Sequence, residues 1–279
     1  MPYVKNHGKD FTRKRKLSFG KIMNFLVCMG GQSIGAELLI SHNFDADTAT
    51  TSAFIQQRSK ILPGAFEHVL HEFVQPACTK VVKYKGYRLL AIDGSDLNIP
   101  TNPSDTPTYY KANLAGRGHN LLHLNALYDL QNRLYTDAVV MPSREMGENV
   151  ALIEMINRSP IDGNVIIVAD RNYESYNNIA HIQRKGWNYV IRVKDINSWG
   201  GMLSGLTSRL PTEGEFDVNI SFALTKKQTN YVKANPHIYK ILQKAAPFDF
   251  LDMHENLFFD TNSNSKRCKG YFLAPAFGC

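Results

Sequence analysis

Length, composition and charge exclude several classes of protein at the outset. The chain has 279 residues, 43% of them hydrophobic and 11% aromatic, enough to bury one large core or two smaller ones and too many for a disordered chain. Its four cysteines show no CxxC spacing, which favours reduced thiols and a cytoplasmic location. No uncharged stretch is long enough to cross a bilayer, so we expect no association with membranes.

The net charge of +7 is concentrated near the N-terminus. Residues 1–21 contain seven Lys or Arg side chains against one acid, and four of them are consecutive: Arg13, Lys14, Arg15 and Lys16. Such a basic segment is typical of proteins that bind a polyanion, with nucleic acid the first candidate. A solvated tail that aids solubility is the alternative. We expect residues 1–16 to form a flexible basic arm.

Four short helices are predicted next, over about 21–29, 33–39, 52–60 and 65–73, with Pro76 ending the fourth. The third carries polar side chains that can reach base edges or phosphates: Gln56, Gln57, Arg58 and Lys60. A helix-turn-helix is one interpretation of this pattern. A plain helical cap whose polar face is solvated is the other.

From about residue 84 the pattern changes to that of an α/β domain. Strands are predicted over 87–92, 121–128, 134–140, 165–169 and 187–193, and helices over 148–157 and 174–185. This order favours a mixed sheet with helices on its faces. Beyond Asp195, apolar and polar residues alternate over 216–224, which indicates a half-buried antiparallel strand and the start of a β-rich segment.

Two of the predicted strands run directly into an aspartate, Asp93 in the first and Asp170 in the fourth. If these strands are neighbours, the two carboxylates meet at one edge of the sheet, where open α/β folds place their chemistry. Two such anions repel unless a cation lies between them, and Mg²⁺ prefers oxygen ligands. The alternative is structural: Asp93-Gly94 is a good turn dipeptide, and Asp170 lies near a predicted helix start.

The sequences around these aspartates resemble a known family. Segments 91–95 (AIDGS) and 169–175 (ADRNYES) resemble the first two acidic motifs of bacterial transposases of the fourth insertion-sequence family. These are DDE enzymes with a ribonuclease-H-like catalytic core. Segment 189–194 (YVIRVK) resembles the family's fifth core strand, and segments 11–17 and 54–61 resemble its N-terminal region.

The resemblance implies a division of the chain and a set of partners. Residues 1–80 would be a basic arm and helical DNA-binding region, 84–195 a ribonuclease-H-like catalytic core, and 196–279 the start of a β-rich insertion. The partners would be double-stranded DNA, as transposon terminal inverted repeats and target DNA, and a second copy of the chain in a homodimer. The location would be the bacterial cytoplasm, in association with the nucleoid.

The resemblance also implies roles for single residues. Asp93 and Asp170 would be the first two catalytic ligands of Mg²⁺ or Mn²⁺. Arg171 and Tyr173 would lie beside the active site near the transposon end, and Arg192 and Lys194 would approach the DNA backbone. For these last four residues, surface charge and helix-start packing are the alternative.

One departure from the family is large. Its third acid lies in a signature Y-x2-R-x3-E-x6-K, which is absent from this sequence; Tyr189 and Arg192 have the first spacing, but Ile196 stands where glutamate is required. Glu145 and Glu148 lie at a predicted helix start, where carboxylates simply favour the helix dipole. We therefore find no third acid and expect a C-terminally truncated transposase with a large loss of activity.

Two other functions remain open from the sequence. A non-catalytic DNA-binding chain could regulate or inhibit an intact transposase by occupying its sites. An unrelated metal-dependent nuclease or phosphatase would cleave without preference for transposon ends.

Overall fold

The computed structural model describes residues 2–77, 81–111, 116–142, 147–194, 201–202, 204, 222–250 and 259–260. The chain divides into two compact units, Met1–Gln75 and Pro76–Cys279. The first unit is helical apart from its first residues. The second contains the sheet that carries both aspartates.

The first unit contains four helices: α1 (Phe19–Cys28), α2 (Ile34–Ser41), α3 (Thr51–Arg58) and α4 (Gly64–Ala77). Each of the first three follows a Ser or Thr whose side chain accepts a hydrogen bond from the backbone N–H three residues later, as N-caps do. They enclose Ile22, Leu38 and Phe54. The predicted helices are confirmed, except that α4 continues to Ala77, past the predicted end at Pro76.

The expectation that residues 1–16 form a flexible arm is wrong at Val4, Lys5 and Phe11, which contact the helical unit. Val4 is 1% exposed and forms a β-bridge with Ile61, and the backbone N–H of Lys5 donates to the carbonyl of Lys60. Phe11 packs edge-on against Phe19. Apolar side chains on both sides of the basic run pack into the helical unit, and Arg13, Lys14, Arg15 and Lys16 are exposed between them.

The second unit is built on a six-stranded mixed sheet. Its strands are β1 (Arg88–Ile99), β2 (Tyr109–Tyr110), β3 (His119–Asp129), β4 (Leu134–Pro142), β5 (Val165–Ala169) and β6 (Asn188–Ile191). The order is β2-β3-β1-β5-β6, with β4 also paired to β3. β1 is antiparallel to β3 and parallel to β5, which is parallel to β6. This mixed sheet with flanking helices is compatible with a ribonuclease-H-like fold.

Two helices accompany the sheet, α5 (Glu148–Arg158) and α6 (Tyr176–Arg184). The apolar stripe of α5 is fully buried: Leu152, Met155 and Ile156 are each 0% exposed and pack with Leu90 and Ile167 of the sheet. Burial of this stripe stabilises the helix by about 1.5–3 kcal/mol for each large side chain. The first residue of α5 is thereby held beside the sheet.

Two sequence predictions differ from this architecture. β1 does not stop before Asp93; it continues to Ile99, because β3 pairs with it along Leu90–Ile99. The alternative interpretation of Asp93-Gly94 as a turn is therefore excluded. The predicted helix 174–185 is α6, which begins two residues later than predicted because Ser175 caps it, and a short 3-10 helix that was not predicted, Arg171–Tyr173, precedes it.

A buried ion pair joins the start of β1 to the β3–β4 turn. Arg88 Nε donates to Asp129 Oδ2 at 2.6 Å, and Asp129 Oδ1 accepts from the backbone N–H groups of Gln131 and Asn132. Asp129→Ala is expected to lower the free energy of unfolding by about 3–5 kcal/mol, because it removes the counter-charge of a buried guanidinium. Denaturant unfolding measures this. Asp129→Asn also removes the charge but keeps an acceptor for the backbone N–H groups of Gln131 and Asn132, so it should cost less than Asp129→Ala. Equal losses in the two variants would contradict a stabilising role for these hydrogen bonds.

Beyond the sheet, the described residues contain β7 (Ala223–Thr225), α7 (Asn230–Ala234), β8 (Tyr239–Ile241) and β9 (Phe259–Asp260). These strands form a small sheet of order β8-β7-β9. Most of the alternating segment 216–224 lies outside the described residues. Asp249 accepts hydrogen bonds from His181 and Asn177, and these lower the pKa of its carboxyl. Among the helices described, none has the length and apolar character needed to cross a membrane.

Candidate active site

Asp93 in β1 and Asp170, directly after β5, lie at equivalent positions along two neighbouring parallel strands. In the register of β1 and β5, Ala91 is opposite Val168, and each aspartate lies two residues further along its strand direction. The prediction that the first and fourth predicted strands are neighbours in the sheet is therefore confirmed. Both aspartates are exposed, so their carboxylates are accessible to solvent and to a ligand.

Each aspartate also has a local structural role. Asp170 caps the 3-10 helix, because its Oδ1 accepts from the backbone N–H of Asn172 at 2.9 Å. Asp93 Oδ1 accepts from the N–H of Gly94 at 2.9 Å. Asp170 is thus a helix cap, of this 3-10 helix rather than of the predicted helix 174–185, and the cap uses one carboxylate oxygen only. The other oxygen has no hydrogen bond to the described residues.

A third carboxylate belongs to the same neighbourhood. Glu148 begins α5, and its side chain is 24% exposed. Partial burial raises the pKa of Glu148, His123 lowers it, and the charges of Asp170 and Asp93 raise it further. Glu148 is thus within electrostatic range of both aspartates. From the sequence, only a helix-dipole role was predicted for Glu148. Its place beside the two aspartates was not predicted, because nothing along the chain relates residue 148 to residue 93.

Polar side chains of β3 line the floor of this site. His123 Nδ1 lies 2.8 Å from Asp96 Oδ1, and His123 Nε2 lies 3.7 Å from Glu148 Oε1. Asn125 is fully buried, and its Oδ1 accepts from the hydroxyl of Tyr173 at 2.9 Å. Two buried nitrogens, His123 Nε2 and Asn125 Nδ2, lack a hydrogen-bond partner in the described part of the chain.

Tyr173 is below the site rather than on its surface. It is 1% exposed, and burial raises the pKa of its phenol well above the ordinary range, with Glu148, Asp93 and Asp170 adding to the shift. A ring enclosed in this way cannot contact DNA from its position. The expectation that Tyr173 binds DNA is therefore replaced by a supporting role: its hydroxyl ties the 3-10 helix after Asp170 to β3.

The other predicted DNA-contacting residues of this unit remain accessible. Arg171 and Arg192 are exposed. Lys194 is half-buried; its Nζ lies 3.5 Å from Glu174 Oε1, and its backbone N–H donates to Glu174 Oε2. Because Glu174 partly neutralises its charge, Lys194 should attract a DNA phosphate less strongly than Arg171 or Arg192.

The predicted DNA-binding residues of the helical unit are described separately. Gln56 and Arg58 are exposed on α3, whereas Gln57 is half-buried and accepts from Lys60 Nζ at 3.1 Å. Lys16 pairs with Asp47 at 3.0 Å. The remaining basic residues of the loop, Arg13, Lys14 and Arg15, are exposed.

The donor set suits a hard cation. Carboxylate oxygens are the ligands that Mg²⁺ and Mn²⁺ prefer, and unpartnered buried polar atoms beside them are typical of a site that holds an ion, water or an anionic ligand. As they stand, no three His, Cys, Asp or Glu side chains of the described residues are grouped to hold a metal. An ion would have to draw its ligands together.

Comparison with known proteins identifies the family. A sequence model of the family described as the transposase DDE domain matches residues 84–247. This range covers the mixed sheet, both aspartates and Glu148. The chain belongs to this family of DDE transposases. No curated protein matches the chain.

Proposed function

We propose that this chain is a transposase that binds transposon ends and catalyses metal-dependent phosphoryl transfer on DNA, as strand cleavage followed by strand transfer, at a reduced rate because the signature with the third acid is missing from this sequence. One observation carries the proposal: in a domain of the DDE family, Asp93 and Asp170 lie at the same height along neighbouring parallel strands. The family implies a DNA substrate and generally a divalent ion.

In this proposal Asp93 and Asp170 hold Mg²⁺ or Mn²⁺. When bound, such an ion activates the attacking water or 3′-hydroxyl and stabilises the leaving oxygen of an in-line displacement. Both aspartates are exposed enough to reach an ion and a phosphate together. Asn125 and Tyr173 support the site from below, since their hydrogen bond fixes the 3-10 helix that follows Asp170.

The DNA-binding part of the proposal rests on exposed cations. Arg171 and Arg192 flank the site, and Arg13, Lys14 and Arg15 form a basic cluster on the helical unit. Guanidinium and ammonium groups neutralise phosphates and release counterions, which gives affinity without reading sequence. Gln56 and Arg58 on α3 are the candidates for contacts with base edges. A homodimer on paired ends belongs to the same proposal.

The test uses linear DNA carrying the sequences that flank the chain's own gene, with a scrambled fragment of equal length as control. Nicking and strand transfer are followed with Mg²⁺ or Mn²⁺ and with chelator. Metal-dependent cleavage confined to the end sequence supports the proposal. Cleavage of both fragments at equal rates would favour an unrelated nuclease and contradict it.

A second function is favoured by one observation: the sequence contains no Y-x2-R-x3-E-x6-K signature. A chain without a working third acid would bind transposon ends without cutting them and would inhibit an intact transposase by occupying its sites. Salt-sensitive, end-specific binding with no cleavage in the same assay would favour this function.

A further inference from the structure

Two tight turns lie together at the end of the mixed sheet where β1 begins. The first covers residues 84–87: the backbone N–H groups of Tyr84 and Tyr87 each donate to the other's carbonyl, at 2.8 and 2.9 Å. The second connects β3 to β4 over residues 130–133. Asn132 joins them, because its Nδ2 donates to the carbonyl of Val82 at 3.1 Å and its Oδ1 accepts from the N–H of Val82 at 2.8 Å. Residues 82–87 and 130–133 therefore form one surface, here called the turn surface.

The turn surface is positively charged. Lys83, Lys85 and Arg133 are exposed, and none of them has an ion pair with another described residue. Asp129 stands at the base of the second turn, but it is 0% exposed and already in a buried ion pair. Tyr84 is 50% exposed, and Lys85 Nζ lies 5.4 Å from the centre of its ring. The surface thus presents three positive charges and an aromatic ring to solvent.

Two of these cations occupy backbone positions that favour other residues. Lys85 has a φ of 48° and Arg133 a φ of 53°, both in the left-handed region. Glycine and asparagine adopt this conformation at lower cost, and Asn-Gly is a preferred pair in a two-residue hairpin turn, where this chain has Lys85-Gly86. Turn geometry therefore does not explain a lysine and an arginine here, whereas a contact made by their charged groups does.

The turn surface is separate from the candidate active site. It precedes the start of β1, whereas Asp93 lies further along that strand. The strand from Arg88 to Asp93 spans about 17 Å at about 3.3 Å per residue. Asp170 follows the parallel strand β5 and so lies at the same far end as Asp93. A ligand on the turn surface consequently does not occupy the place between the aspartates.

We propose that the turn surface binds the sugar–phosphate backbone of double-stranded DNA, as a second contact in addition to the one at the aspartates. Lys83, Lys85 and Arg133 each neutralise a phosphate, and the hydroxyl of Tyr84 donates to a phosphate oxygen. The inference rests on the proposed function only for the identity of the polyanion as DNA. Contacts of this kind add affinity without reading sequence.

The test replaces two of the cations by a residue that suits the turns better. The double variant Lys85→Asn, Arg133→Asn of the full chain removes two positive charges, and asparagine tolerates the left-handed conformation. Its binding to a labelled duplex of scrambled sequence is measured by fluorescence anisotropy over a salt series. The slope of log affinity against log salt concentration should become shallower by about 2, because each neutralised phosphate contributes roughly 0.9.

A matched double variant removes the same charge elsewhere on the second unit. Lys233 and Lys244 are exposed there, and Lys233→Asn, Lys244→Asn should leave the salt slope as it is in the unaltered chain. The melting temperature of Lys85→Asn, Arg133→Asn should equal or exceed that of the unaltered chain, because asparagine relieves the strained positions. A purely structural role for the lysine and the arginine predicts a lower melting temperature instead.

The outcomes for this inference and for the proposed function are distinct. An unchanged salt slope, or the same change in both double variants, would overturn the turn surface; so would a lower melting temperature of Lys85→Asn, Arg133→Asn. If the unaltered chain cleaves end DNA while the slope is unchanged, the proposed function stands without this surface. A shallower slope in Lys85→Asn, Arg133→Asn alone supports the surface, even where the unaltered chain cuts no DNA and the catalytic proposal fails.

Discussion

Asp93→Asn is expected to lower the rate of end-specific DNA cleavage by about 1,000-fold, which corresponds to roughly 4 kcal/mol of transition-state stabilisation. The substitution keeps the size of an exposed side chain and removes the negative charge that a divalent ion needs. Asp170→Asn should have the same effect. Because both residues act on one ion, the double variant should be no slower than either single variant.

The control for this prediction lies at the other end of the same strand. Asp162 is exposed and precedes β5, whereas Asp170 follows it, so Asp162→Asn makes the same chemical change away from the site. Its cleavage rate should equal that of the unaltered chain. End-DNA affinity should also survive in Asp93→Asn. A cleavage rate within about threefold of the unaltered chain in Asp93→Asn would exclude the proposed site.

The second large effect concerns the basic cluster on the helical unit. The triple variant Arg13→Ala, Lys14→Ala, Arg15→Ala should make the slope of log affinity against log salt concentration shallower by about 3, because each neutralised phosphate contributes roughly 0.9 to that slope. Affinity should fall for every DNA sequence alike, since phosphate contacts carry no sequence information. Fluorescence anisotropy across a salt series measures both quantities.

A matched triple variant separates a local contact from net charge. Lys5, Lys9 and Lys21 are also exposed, and replacing them by alanine changes the net charge by the same amount. If the cluster Arg13–Arg15 contacts DNA, the control variant should retain most of the salt slope. Equal slopes in the two variants would show that only overall charge matters.

Much of the fold follows from local sequence patterns. The apolar run 165–169 is the strand β5 with its predicted bounds, and the helix predicted over 148–157 differs from α5 by one residue. These elements have strong periodicity and clear boundaries, so local physics determines them. The full length of β1 was not predictable in this way, because its polar half is a strand only through pairing with β3.

The candidate site was predictable only in part, for the same reason. Asp93 and Asp170 each end an apolar run, which marks them in the sequence. Glu148, His123 and Asn125 carry no such mark, and they meet only because α5 and β3 pack beside Gly94. The burial of Tyr173 could not be predicted from the sequence either, since exposure is a property of the folded chain.

The continuous pairing of β1 with β3 limits how this protein tolerates insertions and deletions. Adding or removing one residue between Arg88 and Asp93 would shift the register and turn Asp93 to the opposite face of the sheet. Length variation should accordingly be rejected within β1, whatever the identity of the residue inserted.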